Sequence, residues 1–194
     1  MLSSFLVTSL RILTFRAGPQ DLPYEPRLSA PLALLAALAN VLMLVQVLPL
    51  GAAILLALGM VAGMALITQA ILRTRKLEAR FHQTFAALVT TTALITFALV
   101  PLFAQLAPAM REISANPALL EQPDKLHLPQ TVVFLMNLLN LWNFAVSASI
   151  FRYAANVGMG LGLVLALVAA LTLLMFVAML SMFAGALLGG AAAA

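Results

Sequence analysis

The polar positions of this chain are gathered into a few short clusters, and long apolar runs separate them. Residues 28–72 carry no charged side chain at all. An uninterrupted run of that length is about two membrane spans, since a helix needs roughly 20 apolar residues to cross a hydrocarbon core of about 30 Å. Pro49-Leu50-Gly51 is the natural break within it. The pattern therefore predicts span one over 31–48 and span two over 52–72, joined as a tight antiparallel hairpin. A basic loop at 73–80 (RTRKLEAR) follows, and span three over 83–106 comes next, with Pro101 near its far end. A Pro-containing loop of mixed charge at 111–127 precedes span four, over 129–151. Arg152 and Asn156 mark a short turn into span five, over 158–188.

Ahead of the first span, residues 1–18 alternate differently. At 100° per residue Leu2, Phe5, Leu6, Leu10, Ile12 and Leu13 fall mostly on one side. Ser3, Ser4, Thr8, Arg11 and Thr14 fall on the other. A helix this short does not span, so an amphipathic helix lying in the membrane interface is expected. Gly18-Pro19 stops it. Residues 19–30 form a Pro-rich linker whose segment 21–26 (DLPYEP) is expected to be extended, because Pro disfavours helix in the residue before it. The fold class is thus all-α: a polytopic membrane bundle over 31–190 with five transmembrane helices, preceded by an interfacial helix.

Composition agrees. Of 194 residues, 64% are hydrophobic and 8% charged, and the mean hydropathy is +1.10. A soluble domain carries about 25% charged residues, so a water-soluble globule and a disordered chain are both excluded. With no cysteine there is no thiolate chemistry, disulfide or Cys-based metal site. The first ten residues contain no Lys or Arg, which predicts no cleaved leader.

The charges sort by topology. With the N-terminus cytoplasmic, Arg11, Arg16, Arg27, Arg73, Arg75, Lys76, Arg80 and Arg152 lie inside, and only Arg111 and Lys125 lie outside. That asymmetry follows the positive-inside rule and puts the C-terminus outside. The same cations, chiefly Arg11, Arg16, Arg73, Arg75, Lys76 and Arg80, are candidate contacts for anionic lipid headgroups. Membrane lipids are the expected partners, together with a membrane-protein partner or a second copy; nucleic acid is not. The short loops suggest a bacterial cytoplasmic (inner) membrane.

No Asp, Glu, Lys, Arg or His falls well inside a span, which argues against proton coupling, voltage sensing and haem ligation. No cofactor is expected. The ordered polar feature is in span four: Gln130, Asn137, Asn140, Asn143 and Ser147 share an arc of roughly 140° on the helical wheel, with Trp142 opposite. Amides in hydrocarbon need partners, and two readings stay open. The stripe either bonds to neighbouring helices or lines a site for a lipid headgroup or solute. Asn40, Gln46, Thr68, Gln69, Thr90, Thr91, Thr92 and Thr96 are candidate partners, the three consecutive threonines being expected to bond carbonyls one turn back on their own helix.

Gly59-x-x-x-Gly63 in span two is a helix-packing motif that either packs the span within the monomer, the favoured reading, or forms a dimer. Gly158-x-Gly160-x-Gly162 predicts a flexible or close-packed entrance to span five; no strand precedes it, so it is no dinucleotide fingerprint. Glu121, Asp124 and His127, three apart in the outer loop, are the one group that could hold a cation or do acid–base work. Pro123 interrupts them, and a solvated loop is the expectation. His82 is placed across the membrane from His127, so the two do not share a metal.

Three stretches are similar to the Yip (Rab/Ypt-interacting protein) family. Asp21-Leu22-Pro23-Tyr24-Glu25-Pro26 resembles its D-L-Y-G-P signature, with Pro23 inserted and Glu25 in place of Gly. Residues 80–101 (RFHQTF leading to ALVP) resemble the third span of the family, and Leu141-Trp142 its fourth. The resemblance extends over about residues 1–185. It implies a cytoplasmic N-terminal segment, five spans, no catalytic residues, and a non-enzymatic role as scaffold or adaptor in membrane organisation or partner recruitment. The alternative from the residues themselves is a permease subunit or a lipid or small-solute transport component using the span-four stripe.

Overall fold

The computed structural model describes residues 2–121 and 128–189. Among them there are six α-helices and no strand: α1 Leu2–Leu13, α2 Ser29–Leu44, α3 Leu50–Thr74, α4 Phe81–Ala115, α5 Gln130–Ala154 and α6 Met159–Gly189. Helices α2 to α6 are each long and apolar enough to cross a membrane. The chain is an all-α integral membrane bundle.

The helix ends differ from expectation where local chemistry intervenes. Helix α2 stops at Leu44 rather than continuing to Leu48. Residues 45–48 form a tight turn instead, with Val47 and Leu48 N–H both donating to the Leu44 carbonyl. Pro49 keeps Leu48 out of the helical region, and the Gln46 carbonyl accepts from Arg111, Nε at 2.8 Å and Nη2. Helix α4 runs on past Leu106 to Ala115, through Pro101 and Pro108. Each proline removes one backbone hydrogen bond, and the Arg111 clamp on the α2–α3 turn holds the far end in place. At 1.5 Å per residue α4 is about 52 Å long, well beyond the hydrocarbon thickness.

Helix α4 is the hub. Helices α2 and α5 pack on its two sides, α3 joins α2 to α6, and α6 closes back on α5. One core cluster joins Ile71, Ala87, Leu88, Val146, Ile150 and Phe151 at the end where the 73–80 loop and the α5–α6 turn meet. A smaller one joins Ala36, Ala39, Phe85, Val89 and Ala93 across α2 and α4. At that first end Arg80 donates from Nη1 to the Tyr153 and Ala154 carbonyls at 3.2 Å, closing the last turn of α5.

The N-terminal segment is built into the bundle. Helix α1 docks on α4 and α5 through Phe5, Ser9 and Ile12, all buried, while Leu6, Val7 and Leu10 are exposed. The face packed on the bundle is the i, i+4, i+7 set; Leu6 and Leu10, on the apolar side of the wheel, point away from it, as the lipid-facing side of an interfacial helix does. The Leu13 carbonyl, orphaned at the helix end, accepts from Trp142 Nε1 at 3.1 Å, and Phe15 meets the Trp142 ring edge-on at 5.2 Å. Trp142 sits midway along α5, about 18 Å from either end. So α1 reaches halfway down the bundle wall. Two short 3₁₀ turns, Pro19–Asp21 and Pro26–Leu28, flank residues 22–25, which lie outside any helix with Leu22 extended. The Asp21 carboxylate accepts from Gly18 N–H at 2.7 Å, the Leu22 carbonyl accepts from Gln83 Nε2 at 2.8 Å, and Ser29 and His82 share a hydrogen bond of 3.2 Å.

Candidate functional site: an amide-lined cavity within the bundle

Helices α5 and α6 leave their connecting turn in close contact. A Cβ at Gly162 would stand 2.7 Å from the Ala148 carbonyl oxygen and 2.9 Å from Arg152 Cβ, so only glycine allows this approach. At Gly158 and Gly160 a Cβ would meet open space, so the close-packed entrance rests on Gly162 alone. Farther along α5, Phe134, Leu138 and Leu141 are exposed, while Val132 is buried. The α3 glycines of the GxxxG motif draw α6 toward α3 instead. A Cβ at Gly63 would lie 2.9 Å from Leu173 Cδ1 and 3.0 Å from Phe176 Cδ1, and one at Gly59 would collide with Leu180. The motif therefore packs helices within one chain, as expected.

The space left as α5 and α6 diverge is a cavity of about 220 Å³. From α5 it is lined by Asn140, Asn143 and Ser147, from α3 by Thr68, and from α4 by Thr92. Ala166, Ala169 and Ala170 of α6 supply the room opposite. A second cavity of about 180 Å³ lies toward α2, reaching Asn40 and Thr96 and sharing Thr92, Asn140 and Asn143 with the first. The two chambers meet where Thr92 Oγ1 donates to Asn143 Oδ1 at 3.4 Å. Among the described residues no charged side chain lines either chamber.

The stripe on α5 is thus divided. Asn140, Asn143 and Ser147 face the cavity, and Asn140 also donates from Nδ2 to the Met136 carbonyl at 2.9 Å. Gln130 and Asn137 do not reach it; they line an open depression with Leu128 and Phe134 at the far end of α5. A helix drifts about 20° per heptad from a strict seven-residue repeat, so one arc on the wheel meets two surroundings.

The threonines also divide. Thr91 bonds the Ala87 carbonyl at 2.8 Å, one turn back. Thr92 reaches across to Asn143, and Thr90 has no partner among the described residues. Asn40 bonds the Ala36 carbonyl of its own helix at 2.8 Å. Thr68 is fully buried, and its hydroxyl has no partner among the described residues. An unpaired buried polar group costs about 1–3 kcal/mol. Thr68 stood in the sequence only as one candidate partner of eight. The small-residue spacing of Ala166, Ala169 and Ala170 was the other available signal for the cavity.

The candidate lipid-contact cations occupy several positions. Arg73, Arg75, Lys76 and Arg80 are exposed at the first end of the bundle. Arg75, Lys76 and Arg80 rim an open hollow there with Asn156. Arg11 and Arg16 are exposed on and just after α1. Arg111 of α4, not one of these candidates, is at the opposite end, bonded to the α2–α3 turn. Of the outer-loop trio, Asp124 and His127 lie outside the described residues, and among the described residues no three His, Cys, Asp or Glu side chains form a metal-binding group.

Together these features define an integral membrane protein of five apolar helices around a neutral, amide-lined interior. No family model, curated protein or solved structure matches the chain.

Proposed function

We propose that this chain is a non-enzymatic membrane protein that takes a small amphipathic molecule from the bilayer into the cavity between α3, α4, α5 and α6, as a transport or lipid-handling component. The observation that carries this reading is that Asn140, Asn143 and Ser147 line a cavity between the helices, with only Asn143 also bonded to a neighbouring helix, through Thr92. Binding sites of this kind are mostly apolar with a few placed polar groups, and the gap between helices of a bundle is a common location. The positive-inside rule puts the 73–80 loop in the cytoplasm, and the lean loops favour a bacterial inner membrane.

The test is native mass spectrometry of protein extracted from its host membrane. A one-to-one small-molecule adduct is expected, and Ala169→Phe, which fills the cavity, removes it. The same spread of adducts on both proteins would overturn the reading.

A second reading, the Yip-like adaptor, is favoured by the 21–26 segment. Its backbone is clipped to α4 through Leu22, while Tyr24 is 60% exposed and its ring stands edge-on to His82 at 6.1 Å. This displays the motif at the basic end of the bundle. Mild-detergent purification should then recover a stoichiometric partner or oligomer that Tyr24→Ala releases; a clean monomer would count against it.

A further inference from the structure

The proposed uptake of a small molecule leaves its chemistry open, and the lining narrows it. We infer that the cavity selects an uncharged molecule with an aliphatic body and one hydroxyl or carbonyl group, and that this group pairs with the Thr68 hydroxyl. The inference rests on the cavity being a binding site and names what it takes.

Thr68 is fully buried and lines the cavity, and its hydroxyl bonds to nothing among the described residues. A hydroxyl can both donate and accept, so an alcohol or a carbonyl oxygen satisfies it equally well once the guest displaces the side chains that cover it, since Thr68 has no accessible surface in the empty protein. The other polar groups on the wall, Thr92, Asn140, Asn143 and Ser147, are neutral as well. A carboxylate or ammonium entering would lose its hydration with no countercharge among the described lining residues, which strongly disfavours charged molecules. The rest of the wall is apolar, including Met64, Ile67 and Phe144.

Size sets the remaining limit. A dry apolar cavity of about 150 Å³ accepts benzene, with its six carbons. Scaled to 220 Å³, the chamber holds about nine heavy atoms. That is the size of 1-octanol, or of the hydroxyl-bearing end of a larger neutral lipid.

The experiment uses the full chain in phosphatidylcholine nanodiscs and three eight-carbon photoprobes carrying the same diazirine: an alcohol, a carboxylate and an ammonium. Adducts are mapped by peptide mass spectrometry, and excess 1-octanol is the competitor. The alcohol should label the α3 and α5 segments that carry Thr68 and Asn143, saturably and at least about tenfold more than either charged probe. Thr68→Val keeps the side-chain shape and removes the hydroxyl. It should reduce alcohol labelling about five- to tenfold while raising the unfolding midpoint of the empty protein, since it deletes an unpaired group. A merely structural Thr68 would lower that midpoint. Cavity labelling that ignores probe charge or survives Thr68→Val unchanged overturns this inference and leaves cavity uptake standing. No cavity labelling by any probe, in wild type or variant, overturns both.

Discussion

Helices α4 and α6 are both apolar, but they occupy opposite places. In its most apolar stretch α4 has 61% of residues buried within the protein, and α6 has 6%. The more polar of the two is inside. Helix α4 carries Thr84, Thr90, Thr91, Thr92 and Thr96, all but Thr92 buried, whereas α6 carries only Thr172 and Ser181, each bonded to its own helix. In water the order would be reversed. In a bilayer lipid tails are as apolar as leucine, so hydrophobicity alone draws no helix inward. What selects the inside is the need of hydroxyls and amides for partners, together with close packing.

That contrast can be broken by substitution. The largest effect is expected for Leu88→Ala on α4. Leu88 is 2% exposed within the core, and its truncation should cost about 2–5 kcal/mol. Leu174→Ala on α6, at 65% exposed, should change stability by less than about 0.5 kcal/mol. Reversible unfolding in mixed micelles reads both, and equal losses would dissolve the distinction between hub and periphery.

The glycines sharpen it. Gly162→Ala places a methyl against the α5 backbone and should cost about 1–3 kcal/mol. Gly59→Ala meets only the tip of Leu180, a side chain that can turn away, and should cost less than about 1 kcal/mol. The reverse order would contradict the packing of α6 described here. Smaller still is Asn143→Leu, which removes the bond from Thr92. Interhelical bonds of this kind average about 0.6 kcal/mol, and the same unfolding assay measures it. Trp142→Phe should cost a similar amount through its lost bond to the Leu13 carbonyl. Its clearer readout is faster amide exchange in α1.

Much of this was legible in the chain. The charge-free runs and the clusters between them marked all five long helices, because in a bilayer the span itself is the signal. The GxxxG motif was legible as a helix-packing site, but not whether its partner helix lies in the same chain or in a second copy. Less legible was the end of α4, where Arg111 ties to a carbonyl far away in sequence. Which residues of α1 dock on the bundle was not legible for a related reason. A wheel ranks residues by polarity, but Ser9 satisfies its hydroxyl on the Phe5 carbonyl at 2.9 Å and is buried without penalty. Leu6 and Leu10 are simply turned away from the bundle. The amide stripe was visible, but its division was not: whether Asn143 meets a helix or a cavity depends on how α6 leaves α5. That is decided by Gly162 on one side and Gly63 on the other.

The interior between α3, α4, α5 and α6 holds open space rather than tight core. The unfolding free energy of Ala169→Phe tests it most directly. Ala169 lines the cavity, so the ring should fill it, and stability should be unchanged or increased. A loss of about 1–3 kcal/mol, the usual result of forcing extra atoms into a packed interior, would contradict the account.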